Sequence, residues 1–343
     1  MATDRDSPAL TVIVPCYNEV AVIDDTAARL CALLDDLSGR GVIAPDSGIL
    51  FVDDGSGDET WAAIERLGRR HPRCGGLKLS RNCGHQNALL AGLKASTTEI
   101  TVSIDADLQD DTSAIERMIA AYREGAEIVY GVRDDRHEDS RFKRVSAELF
   151  YRLMQWLGVR LVFNHADFRL MSRRAIAALD RYTEVNLFLR ALVPMLGFRT
   201  ATVTYARGLR QAGESKYPFL RMVSFALTGI TSFSLAPLRV ITLTGFAVAL
   251  LAGLVGLWAL GASLIGAASA PGWASLLIVV SFLGGAQLFA LGIVGEYVGR
   301  IYLETKRRPR FEVEAVMPPA AGAMREIRAP AEEAAPPPVS HSH

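Results

Sequence analysis

The sequence predicts an α/β protein, a doubly wound and mostly parallel sheet, followed by two membrane-crossing helices. Three observations predict it. Short apolar runs rich in β-branched residues alternate with longer segments of helical periodicity between Leu10 and Tyr130. Polar clusters stand directly after three of those runs, where ligands sit in open parallel sheets. Finally, no Lys, Arg, Asp, Glu or His occurs from Val240 to Gly295, which accommodates two crossings of roughly 20 residues each.

The strands are expected at Leu10–Val14, Ile49–Val52, Leu77–Leu79, Ile100–Ile104 and Ile128–Tyr130. Val20–Asp36, Glu59–Arg70, Asn87–Ala95 and Ser113–Glu124 carry apolar residues at helical spacing, and Ser113 with Glu116 matches a capping box. Further helices are expected near Lys143–Leu157 and Glu184–Leu196. Phe219–Phe233 is apolar apart from Arg221 and reads as an amphipathic helix at the membrane surface. The crossings follow at Leu238–Leu264 and Trp273–Val298, joined by IGAASAPG. That connector has no basic residue, whereas the outer flanks hold Arg239, Arg300, Lys306, Arg307 and Arg308. The positive-inside rule then puts the N-terminal domain and both termini in the cytoplasm of a multi-pass plasma-membrane protein. Beyond Phe311 the Ala/Pro/Glu-rich tail is expected to be disordered.

The chain has 343 residues, zero formal net charge and 50% hydrophobic residues, a balance that favours neither disorder nor a nucleic-acid partner. The N-terminus shows no signal peptide. Cys16, Cys31, Cys74 and Cys83 lack metal-binding spacing and read as reduced thiols.

Asp105-Ala106-Asp107 follows the strand ITVSI. Two carboxylates so spaced at a strand end can share a hard cation, Mg²⁺ or Mn²⁺, which would bridge a diphosphate. Asp53-Asp54 ends the second strand, and a carboxylate there can accept the imide N–H of uracil or the equivalent edge of guanine. Gly55 and Gly57 supply a tight turn, and Asp58 can cap the next helix. The same residues fit a plain strand-to-helix loop nearly as well. Tyr17 and Glu19, in PCYNE, can support a base and bind a ribose, or simply start a helix. Arg81, Arg133, Arg207, Arg210 and Lys216 stand in loops beside glycines and polar residues, as phosphate recognition demands.

Together the segments VIVPCYNE, FVDDGSGDET, LSRNCGHQNALLAGL, DADLQDD, YGVRDDR, DFRLMSR and RGLRQAGESKYP resemble the family 2 glycosyltransferases. Within them the chain is most similar to the polyprenyl-phosphate glycosyltransferases related to dolichol-phosphate mannose synthase. The seven motifs occur in order, and the resemblance runs from about Thr11 to Arg310, including the paired C-terminal helices and the GEYVGRIYLETKRRP segment. The resemblance implies a GT-A nucleotide-sugar fold, inversion at the sugar, a UDP-linked hexose as donor and a polyprenyl (undecaprenyl) phosphate as acceptor. It implies that Pro15, Tyr17, Asn18, Glu19 and Asp53 hold the nucleoside, with Arg81 and Ala106 beside the nucleotide. It implies that Asp105, Asp107 and Gln109 surround metal and diphosphate, while Arg133, Arg207 and Lys216 face the two phosphates. Some relatives assemble as homo-tetramers. On this reading residues 1–215 are a cytoplasmic catalytic domain and 216–235 an interface helix. Residues 236–300 hold the crossings, and 301–343 a basic segment and tail.

Two departures from the family pattern stand out. Asp110-Asp111-Thr112 replaces an acid or His followed by two prolines, and Cys83 replaces a common aromatic. A polysaccharide-polymerising synthase would carry QxxRW and more crossings. An oxidoreductase would carry GxGxxG where PCYNE stands. A non-catalytic membrane scaffold is opposed by the intact Asp105, Asp107, Arg207 and Lys216.

Overall fold

A computed structural model describes residues 7–133, 165–184, 189–205, 236–264 and 273–319. These residues divide between a sheet unit, which includes the chain from residue 309 onward, and a helical unit ending at Arg308.

The sheet unit opens with β1 (Leu10–Cys16), α1 (Ile23–Gly39), β2 (Gly48–Asp53), α2 (Thr60–Arg70) and β3 (Cys74–Leu79). It continues with α3 (His85–Ala95), β4 (Ile100–Ser103), α4 (Ala114–Arg123) and β5 (Ile128–Arg133). Then come β6 (His165–Ser172), α5 (Arg173–Leu179), α6 (Leu189–Met195), β7 (Thr200–Tyr205) and, after the helical unit, β8 (Val313–Met317). The strands form one sheet in the order β7-β5-β6-β4-β1-β2-β3-β8. β1–β2, β1–β4, β2–β3 and β5–β7 pair in parallel; β6 and β8 run against their neighbours. The sheet is therefore mixed. β1 and β2 are buried along their whole length, as strands covered on both faces must be.

The two faces differ. On one, Leu10, Val12 and Val14 of β1 meet Ile23, Ala27, Leu30 and Leu34 of α1, with α2 and α4 alongside, in a continuous apolar core. On the other, α3 lies so close that a Cβ on Gly92 would come within 2.6 Å of Ile13 and 2.9 Å of Val52. Register carries that second face from Ile13 to Ser103, to Arg169 and to Tyr130. It thus turns polar towards β6, with Thr11, Thr101, Ser103, Asp167 and Arg169 all buried.

Several expected details change. α1 starts three residues later than expected, because the Glu19 carbonyl already accepts from Val22 and Ile23 N–H. α3 starts two residues earlier, at His85. The Ser113–Glu116 capping box does not form. The Ser113 hydroxyl donates to Asp111 (2.7 Å), and Glu116 makes a two-pronged pair with Arg40 beyond the end of α1. Of the expected helix at Glu184–Leu196 the described residues contain α6, and residues 185–188 lie outside the described residues. The tail is not unstructured at its start: β8 pairs with β3, Met317 packs on Gly68, and Lys78 pairs with Glu314 at 2.8 Å. Lys143–Leu157 and Phe219–Phe233 lie outside the described residues.

The helical unit holds α7 (Ala236–Leu264) and α8 (Trp273–Thr305). At 1.5 Å per residue each exceeds the roughly 30 Å of a bilayer's hydrocarbon. Phe246, Trp258, Leu288 and Phe289 are exposed. Among the described residues Phe282–Thr305 is the one segment long and apolar enough to count as a candidate span.

Candidate active site

The site is built at the carboxyl ends of β2, β1 and β4. Asp53 ends β2 opposite Cys16 of β1. Its Oδ1 accepts from the Ser56 amide and hydroxyl, while its buried Oδ2 has no hydrogen-bond partner. Burial pushes its carboxyl up, against the opposing pull of the Ser56 bonds and Lys78. The two loops above it are laced together. Asn18, in the left-handed region (φ 56°) that Asn tolerates, accepts from Gly57 N–H at 2.9 Å; its own amide donates to Ser56. Asn18 therefore shapes the loop. Asp58 accepts from Val20 N–H and from the Thr60 amide and hydroxyl where α2 begins. Pro15 is buried inside β1, whereas Tyr17 is exposed at its mouth.

Asp54 does not face a ligand. Its oxygens accept from Cys83 N–H (2.7 Å) and Gly84 N–H (2.8 Å), fixing the turn that starts α3. Gly55 (φ 64°) lets this turn close, since a Cβ would lie 2.4 Å from the Arg81 carbonyl carbon. Cys83 contributes its backbone here, and the Arg81 side chain stays exposed. The turn delivers His85 to the site.

After β4, Asp105 is half-buried and Asp107 exposed, with Gln109 bonded to Asp107 at 2.7 Å. Ala106 is buried, and its carbonyl accepts from Thr26. Burial raises the Asp105 carboxyl, which His85 partly offsets. Burial also raises Glu19, and the charges of Asp107 and Asp105 add to it, so three acidic groups crowd one rim. Among the described residues no three acidic, His or Cys side chains form a complete metal cage. The arrangement still fits Mg²⁺ or Mn²⁺, which commonly takes one or two carboxylates and completes its shell with water and substrate phosphate.

Asp110 neither joins this rim nor caps α4. It is buried, accepts from the Tyr205 hydroxyl at 2.6 Å and pairs with Arg133 at 2.9 Å. Arg133 is thus held by protein groups at the end of β5. Arg207, Arg210 and Lys216 lie outside the described residues.

A cluster that the sequence reading did not single out adjoins Asp105. β6 runs against β4, so Asp167 near its start lies beyond Ser103, next to the carboxyl end of β4. The Asp167 carboxylate accepts from Arg169 (2.8 Å), Gln86 (3.1 Å) and Arg190 (3.2 Å), and lies 3.4 Å from His85 Nε2. Burial opposes ionisation, but His85 and the two guanidinium groups outweigh it and hold the carboxyl far below its usual range. His85 Nε2 is also 3.7 Å from Asp105. Burial lowers the imidazole's basicity, yet Asp167 and Asp105 leave it raised overall. Arg169 is 1% exposed, and its Nε and Nη1 have no hydrogen-bond partner.

The chain belongs to glycosyltransferase family 2: residues 11–179 match the profile described as Glycosyl transferase family 2, and the protein is a glycosyltransferase of GT-A fold. It is 52% identical over 312 residues to the uncharacterized glycosyltransferase YkoT of Bacillus subtilis (strain 168), covering 90% of this chain and 92% of that protein. It is 41% identical over 268 residues to the bactoprenol glucosyl transferase of Shigella phage SfX, covering 78% and 88%. It is 39% identical over 308 residues to the prophage bactoprenol glucosyl transferase homolog of Escherichia coli (strain K12), covering 90% and 99%.

Proposed function

We propose that the protein transfers a hexose, with inversion, from a UDP-sugar to a polyprenyl phosphate at the cytoplasmic face of a membrane. The observation that carries the reading is the Asp105–Asp107 turn beside Glu19 at the end of β4, a concentration of negative charge suited to a cation and a diphosphate. The relatives named bactoprenol glucosyl transferases support the acceptor class.

The Asp53 Oδ2 acceptor matches the donor N–H of a uracil or guanine edge, and exposed Tyr17 follows Cys16, the residue opposite Asp53 on β1. Asp105, Asp107 and Gln109 would hold Mg²⁺ or Mn²⁺, which when bound stabilises negative charge on the diphosphate. Recognition of the donor and acceptor phosphates is assigned to Arg207 and Lys216. A phosphate monoester is largely dianionic near neutral pH, its second pKa being about 6, so the acceptor needs alignment more than a general base. One acceptor oxygen bonds to the anomeric carbon while the bond to the diphosphate breaks, and the electron pair leaves with the diphosphate.

A two-crossing anchor is supported by the lengths of α7 and α8 and by chain topology. Strands before and after these helices belong to one sheet, as an even number of crossings would leave them.

The test is direct. Membranes containing the protein, given labelled nucleotide sugars and polyprenyl phosphate, should yield lipid-linked sugar from one donor. Asp107→Asn and excess chelator should each abolish it; full activity in chelator defeats the metal assignment. Lys216→Ala should weaken lipid-phosphate use more than nucleotide binding.

A further inference from the structure

The sheet order places β2, β1, β4 and β6 side by side. On the reading just given, the base meets Asp53 after β2 and the diphosphate meets Asp105 and Asp107 after β4. The donor then runs across the strand ends, about 4.8 Å per strand, and β6 is the next strand in that direction. The Asp167 cluster therefore borders the diphosphate on the side away from the base, where the sugar and its attacker must stand. His85 marks the junction, within 3.7 Å of Asp105 and 3.4 Å of Asp167.

Charge indicates what that position is built for. Asp167 contributes one negative charge against the guanidinium groups of Arg169 and Arg190. Arg169 alone neutralises the carboxylate at 2.8 Å, and it is 1% exposed. Arg190 makes longer contacts, 3.4 Å from Nε and 3.2 Å from Nη2, and its side chain is 37% exposed. It is thus the partly exposed guanidinium of the two, within reach of a solute. A neutral sugar does not need one; a phosphate monoester does, and a guanidinium suits it in shape and charge. The helix that carries Arg190 is anchored to the same site, because Gln86 accepts from Leu189 N–H through Oε1 and donates to Asp167 through Nε2.

We propose that Arg190 binds the phosphate of the lipid acceptor and aligns it with the anomeric carbon, with Asp167 orienting the guanidinium. This rests on the function proposed above and adds a residue to it.

The experiment uses full-length protein in detergent with labelled UDP-sugar and undecaprenyl phosphate. Arg190→Gln should raise the KM for the lipid phosphate by about tenfold to a hundredfold, the cost of a lost charge-assisted contact. The KM for the nucleotide sugar should stay within about twofold. Arg190→Lys should recover part of the loss, because charge returns without the planar fork. A purely structural role predicts lower thermal stability and a common change in both KM values, and that pattern overturns the assignment. So does an unchanged lipid KM. If Arg190→Gln fails to fold, the same KM split in Arg190→Lys decides, with protection from thermal unfolding by UDP reporting on the donor site. Wild-type protein that forms no lipid-linked sugar from any donor defeats the underlying reading, and this assignment with it. Wild-type turnover with no lipid-specific shift in either variant defeats this assignment alone.

Discussion

The two faces of the sheet are built from one set of strands and solve different problems. Under α1, α2 and α4 the inward positions form a continuous apolar cluster, and hydrophobic burial is the main force between the layers. Under α3 the inward row that begins at Ile13 ends in Ser103 and Arg169, with Asp167 beyond. There the chain accepts the cost of burying charges and offsets it by pairing them. Deep in the apolar face, away from the strand ends, a substitution is expected to cost stability only. The charged face couples stability to the site, since Asp167 touches residues from α3, β6 and α6.

The sharpest way to break the contrast is Asp167→Asn. It leaves the Arg169 guanidinium buried without a counter-charge, and about 3–5 kcal/mol of stability should be lost in denaturant titration, together with activity. On the other face, Leu30→Ala should cost about 2–4 kcal/mol while the KM for nucleotide sugar stays the same. A changed KM there would show that the faces are not independent. Smallest is Glu314→Gln, which removes a half-exposed partner of Lys78 and should cost less than about 1 kcal/mol. pH offers a further test. A carboxyl depressed on folding, as Asp167 is, stabilises the protein above the usual carboxylate pKa of about 3.9. That contribution is lost only as pH falls through the lower folded value. Asp167→Asn should accordingly flatten the acid limb of the stability profile below about pH 4.

The regular part of the fold was legible in the sequence, because strands buried on both faces write themselves as unbroken apolar runs such as LTVIV and ILFV. Asp105 and Asp107 stand out because two carboxylates close such a run, and the fold adds Glu19 beside them. β6 escaped because HADFRLMS alternates Phe168 and Leu170 with Asp167 and Arg169, so half of its inward positions look like surface. That period-two pattern was the available signal, and charge masked it. Asp54 and Asp110 show the complementary limit. Each carboxylate sits in a motif, yet whether it meets a ligand, a backbone turn or an arginine depends on partners distant in sequence, Gly84 for one and Tyr205 for the other.

β8 has a consequence for how the protein is made. The ribosome delivers Val313–Met317 only after both long helices have been synthesised, yet this strand covers the open edge of β3. Until then that edge presents unpaired amides and carbonyls to any neighbouring nascent chain. Completion of the sheet is thereby postponed until the helical segment has emerged, so a chain stalled before residue 313 carries an edge prone to aggregation.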